Sequence, residues 1–239
     1  MRISVGRNAF LALAIAGGAV GFFLRWQAYR TCMGPDGLLA PSRWQTALVA
    51  LSLAAAAVLA LLARYSRFPK DYHDLYPASA PAAGLGWCSA GLLCIGCVLQ
   101  LLRGGAWTYT AVSVLGLLAA AALTNTARKR KQGRRPEYLL QGMVCLFFLL
   151  TLMHEFYHRG HDPQLLDNVF QLLSWLCLML SAFYRTCLDI QTQQTRLLAF
   201  VNGCGIFCTM VALSAGENLL LHLGALVWAL QNQPREAQG

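Results

Sequence analysis

The sequence is poor in charge, and poorest in acid. Only 12% of its 239 residues are charged, and Asp and Glu together number ten. A soluble domain carries about 25% charged residues, so this chain lacks the means to clothe a separate water-facing domain. The solvated segments shrink to loops and short tails. Ionisable residues are almost absent from the interiors of the apolar runs, where ion-coupled carriers keep theirs. No G-x-x-x-x-G-K-[ST] and no Gly-rich nucleotide fingerprint occurs, which argues against an ATP-driven pump within one chain. Cysteine is not scarce, but a disulfide framework is missing. Seven of the nine (Cys88, Cys94, Cys97, Cys145, Cys177, Cys204 and Cys208) lie inside apolar runs, and Cys32 and Cys187 fall near loops on opposite sides. Buried thiols act as small hydrophobes, and the C-x-x-C at Cys94-Ile95-Gly96-Cys97 reads as packing within a span.

What is present is apolar length. The chain is 57% hydrophobic, with a mean hydropathy of +0.48. Eight runs, at 8–24, 46–63, 84–102, 106–124, 138–153 (continuing to 158), 168–184, 197–213 and 219–230, match or approach the length that crosses a hydrocarbon core about 30 Å thick. Lipid cannot satisfy backbone polar groups, so each must be helical. The expected fold is an all-α, polytopic integral membrane protein: one transmembrane domain over 1–239, a bundle of about eight transmembrane helices. The first run follows Arg2 and Arg7 and resembles a signal peptide, but the later spans favour an uncleaved first helix.

The formal charge of +9 sits between the apolar runs, where membrane topology explains it better than nucleic acid does. With the N-terminus in the cytoplasm, fourteen Lys and Arg fall inside and five outside, which places both termini in the cytoplasm. Trp26, Tyr29, Trp44, Trp107, Phe156 and Tyr157 then mark the outer interface, and Tyr65, Tyr72, Tyr76, Tyr138 and Tyr184 the inner one. The densest cationic run, Arg128, Lys129, Arg130 and Lys131 with Arg134 and Arg135, sets topology and is the candidate contact for anionic lipid headgroups. The halves 1–124 and 125–239 share an outline, with "GPDGLLAPSRW" and "GHDPQLLDNVF" at matching places. A 4+4 parallel repeat is one explanation of that outline, and the common grammar of membrane proteins is the other.

One motif carries chemistry. His154-Glu155-Phe156-Tyr157-His158 is an H-E-x-x-H. Residues four apart share a helix face, so His154 and His158 could bind one zinc ion with Glu155 as general base. A catalytic zinc needs a third protein ligand. Glu217 is the first choice, with His222, His161, Asp162 and Asp167 also on that side. The competing reading is an interfacial polar cap, because the motif stands at the outer end of the fifth span and Gly160 and Asp162-Pro163 end the helix soon after. A transport role would instead draw on the sparse polar residues near spans, Gln100, Gln141, Gln171 and Asn202, and on "VNGCGIF" (201–207) as a weakened helix. The plainer reading of that stretch is a small-residue packing face.

The stretches "HDPQLLDNVFQLLSWLCLMLSAFY" and "GFFLRWQAYRTCMGPDGLL" resemble a group of multi-span membrane proteins from anaerobic Gram-positive bacteria that carries no assigned activity. The resemblance implies a bacterial plasma-membrane location and nothing about chemistry. The sequence thus leaves the biochemical function open. The alternatives are a zinc-dependent membrane metalloprotease at His154, Glu155 and His158, and a small-molecule transporter or transporter subunit; no cofactor is expected, and zinc only on the metalloprotease reading. The expected partner is the lipid bilayer, without nucleic acid.

Overall fold

A computed structural model describes residues 9–33, 42–69, 72–104, 107–159, 165–189, 194–216 and 218–234. The protein is an all-α bundle. Its helices among the described residues are α1 (Ala9–Cys32), α2 (Arg43–Tyr65), the single turn α3 (Tyr72–Leu75), α4 (Ala80–Arg103), α5 (Trp107–Lys131), α6 (Tyr138–Arg159), α7 (Leu165–Asp189), α8 (Thr195–Ala212) and α9 (Leu219–Gln231). Ser42 starts α2 with a capping box closed by Gln45, and the Ser79 hydroxyl caps α4, each satisfying backbone N–H groups that the first turn leaves open.

All eight apolar runs become helices, and seven are long and apolar enough to cross a membrane. The eighth, α9, has 13 residues, about 20 Å at 1.5 Å per residue, and is shorter than a full crossing. Its shortness has a local cause. After α8 the chain tightens into a 3₁₀ turn, Leu213–Ala215, and Gly216 and Asn218 then adopt left-handed backbone at φ 72° and 47°. The 3₁₀ turn carries α8 on to Ala215, so that Thr195–Ala215 has the length of a crossing, and α9 starts only at Leu219. Such irregular backbone is tolerated at membrane depth only inside protein or along a wet cavity, and α9 is indeed embedded: Leu221, Ala225, Trp228 and Ala229 are buried. A second departure from the sequence reading is at α5, which runs seven residues past 124 to Lys131. The basic side chains of its last turn complement the helix dipole there.

Six helices close a ring, each packing on the next: α4 on α5, α5 on α6, α6 on α7, α7 on α8, α8 on α9, and α9 back on α4. The pair α1 and α2 stands outside the ring and leans on α8. An aromatic plug fills the ring, with the Phe148 ring 5.1 Å from that of Trp228 and 6.0 Å from that of Trp175. The α4–α9 seam is a close approach. A Cβ added at Gly96 would stand 2.7 Å from the Leu221 side chain, and one at Gly224 would stand 2.8 Å from Leu93. Each helix thus seats a leucine against the other's glycine. Ser89 Oγ completes the seam by donating to the Gly224 carbonyl at 2.8 Å. The "VNGCGIF" stretch is unbroken helix within α8, with Gly203 against Phe10, a packing face.

Candidate functional site

The two ends of this bundle carry different polar chemistry. At one end, the last turns of α4 and α6, the first turn of α5 and the turn before α9 surround a cleft of about 800 Å³. Gly96 lines its floor. That residue lies about 24 Å along α4, two turns before the end of the helix at Arg103.

His154, Glu155 and His158 all line this cleft, joined by Gln100, Arg103, Tyr109 and Asn218. The two imidazole centroids are 4.4 Å apart, as one helical turn dictates. The Tyr109 ring, from α5, closes a triangle with them at 4.2 Å from His154 and 5.2 Å from His158. Glu155 is buried, and its Oε1 accepts a hydrogen bond from Asn218 Nδ2 at 3.2 Å. The left-handed turn at Asn218 therefore positions a carboxylate of α6. Across the cleft, Ser113 Oγ donates to Gln100 Oε1 at 3.3 Å, which leaves the Gln100 amide N–H groups available at the wall.

The other metal-ligand candidates divide. Glu217, His161 and Asp162 lie outside the described residues, as does the side chain of Asp167. His222 stands behind the cleft wall, with its ring 4.6 Å from that of Trp175. Its Nδ1 meets the Asn218 carbonyl at 3.3 Å, and because a carbonyl only accepts, that nitrogen carries the proton. His222 thus touches the same residue that holds Glu155, but faces the aromatic core. Among the described residues, no three His, Cys, Asp or Glu side chains are grouped to hold a metal ion. All nine cysteines are free thiols.

The opposite end is a buried cationic layer. Arg130 and Arg185 are only 7% and 1% exposed. Their guanidinium carbons lie 5.2 Å and 3.5 Å from the centroid of one ring, that of Tyr76. Tyr76 donates its hydroxyl to the Asn232 carbonyl at 3.0 Å, and Arg130 Nη1 donates to the Gln231 carbonyl at 3.0 Å. The end of α9, whose own carbonyls lack helical partners, is capped by these two side chains. Asn202 lies nearby, fully buried, with Nδ2 donating to Ala229 O at 2.9 Å and Gln233 Oε1 at 2.7 Å. It is a packed hydrogen-bonding group at the end of α9 remote from the cleft.

The six cations of the basic run therefore differ. Arg130 is turned inward, Lys129 pairs with Glu137, and the Lys131 ammonium sits 5.6 Å from the Trp87 ring centroid. Arg128, Arg134 and Arg135 are exposed. Tyr109, Arg103 and Asn218 were not foreseen as site residues. In the sequence Gln100 reads only as a polar residue near a span. No protein-family model, curated protein or solved structure matches this chain.

Proposed function

We propose that this protein is a metal-dependent hydrolase of the bacterial plasma membrane, with both termini in the cytoplasm and its active site in the cleft at the outer face. The observation that carries the reading is the shared wall: all three chemical positions of the H-E-x-x-H line one cleft. A motif arising by chance at a span end has no reason to face a cavity. His154 and His158 are the protein ligands on α6. Zinc–nitrogen bonds of about 2.0–2.1 Å suit imidazoles that already stand side by side. Zinc held there would supply a Lewis acid, and Glu155, oriented by Asn218, would be the residue placed to accept a proton. The third ligand assigned to this centre is Glu217, the residue preceding Asn218 in the chain. At the cytoplasmic end, the exposed Arg128, Arg134 and Arg135 with Lys131 supply the contacts to anionic headgroups, each worth about 1 kcal/mol.

Metal analysis of protein purified in detergent without chelator tests the reading. Wild type is expected to retain about one zinc per chain, His154→Ala and His158→Ala to lose it, and Glu155→Gln to keep it. Wild type that holds no more metal than the histidine variants would end the proposal.

A further inference from the structure

The cleft has two unlike kinds of lining. Hydrogen-bond donors form one, and leucines the other. Arg103 makes no ion pair or hydrogen bond among the described residues, the Tyr109 hydroxyl has no partner there either, and the Gln100 amide nitrogen is unused once Ser113 occupies its oxygen. Of the two carboxylates of the proposed centre, Glu155 is buried and engaged by Asn218, and Glu217 lies outside the described residues. From α9 come Leu219, Leu220 and Leu221, and Leu99 stands beside Gln100 on α4. Close to the lining residues in sequence are four large apolar side chains that point outward from the bundle: Leu102, Trp107, Phe156 and Tyr157, at 77%, 79%, 60% and 71% exposure. In a bilayer these face the interface, and aromatic side chains favour that level. A molecule in the adjacent leaflet therefore meets an apolar rim, then the leucines and the donors.

We infer that the ligand of this cleft is an anionic phospholipid drawn laterally from the leaflet on the cleft's own side, its phosphate held by Arg103, Tyr109 and Gln100 and the start of its acyl chain laid along Leu99, Leu219 and Leu220. This names the substrate class of the proposed hydrolase and rests on that reading for the reaction, while the binding rests on a different set of side chains. Guanidinium and phosphate are matched in geometry and charge. A volume of about 800 Å³ lies within the roughly 300–1,000 Å³ of ordinary ligand pockets, enough for a headgroup and the first part of a chain. A water-borne peptide would have no use for an apolar rim open to lipid.

Photoactivatable phosphatidylglycerol and photoactivatable diacylglycerol, incorporated separately into vesicles with the full-length protein, test the inference by mapping adducts on the peptides around 96–109, 153–158 and 218–221. Phosphatidylglycerol is expected to label the cleft about tenfold more than diacylglycerol, which has no phosphate, the ratio that loss of one charge-assisted contact produces. Arg103→Gln should erase that preference, and Leu220→Trp, which fills the apolar wall, should lower labelling by both lipids. Soluble glycerol phosphate should not compete. Equal labelling by the two lipids, indifference to Arg103→Gln, or displacement by glycerol phosphate overturns the inference. If Leu220→Trp does not fold, Arg103→Gln decides alone. Zinc content of the same wild-type preparations keeps the two readings apart. Zinc without lipid preference sinks only this inference, and absent zinc sinks the hydrolase whatever the lipids do.

Discussion

Tyr76 shows how much one ring can hold. It lies against two buried guanidinium groups and ties its hydroxyl to the end of α9. Tyr76→Phe removes only the hydroxyl contact and should cost about 0.5–1.5 kcal/mol. Tyr76→Leu removes the ring as well, and each desolvated cation–π contact adds roughly 1–2 kcal/mol. Thermal unfolding in detergent should place the Leu variant well below the Phe variant, and equal melting temperatures would mean the arginines do not depend on the ring. The sequence contained a clue to Arg130 that charge counting missed. The buried face of α5 passes through Leu123, Thr126 and Ala127, and the same 3–4 spacing lands next on Arg130. Counting it with its exposed neighbours hid that rotation. His154, Glu155 and His158 were legible because their relation is local to one helix. Tyr109, Arg103 and Asn218 come from three other segments, and no spacing within a single segment reveals that they meet.

At the scale of the helix, α9 and its seam with α4 decide where the cleft ends. Gly96 and Leu221 both line the cleft and both belong to the seam. Gly224→Val pushes Leu93 away and should cost about 1–3 kcal/mol by overpacking. Because Gly224 lies one turn below Leu221, the same change should also shift the cleft floor. Ser89→Ala, which loses a hydrogen bond but no space, should cost about 1 kcal/mol and leave the cleft as it is. Measured stabilities that fail to separate these two variants would show that the seam is looser than its geometry. Hydropathy located α9 as an apolar run but could not set its depth. Length alone suggested a crossing, whereas the left-handed pair Gly216 and Asn218 fixes where the helix begins.

For the molecule as a whole, the two polar ends must face opposite compartments. Alkaline phosphatase is active only outside the cytoplasm, so fusions after Gly133 should be inactive and fusions after Gly104 active. The reverse pattern would move the cleft to the cytoplasmic side and require a different substrate pool. The all-helical bundle was legible from composition and run length, because lipid leaves the backbone no other choice. The order of packing was not. Apolar faces that all read alike in sequence give no sign that α1 seeks α8 as well as α2, its neighbour in the chain.

That pairing imposes a schedule on synthesis. The glycine face of α1 finds its partners Phe207, Met210 and Val211 only when nearly the whole polypeptide has left the ribosome. At 5–20 residues per second the wait is on the order of 10 s. Through that interval the leading hairpin drifts in lipid with its docking groove uncovered, and a chain stalled before α8 presents an adhesive, half-made surface to whatever quality-control machinery patrols the bilayer.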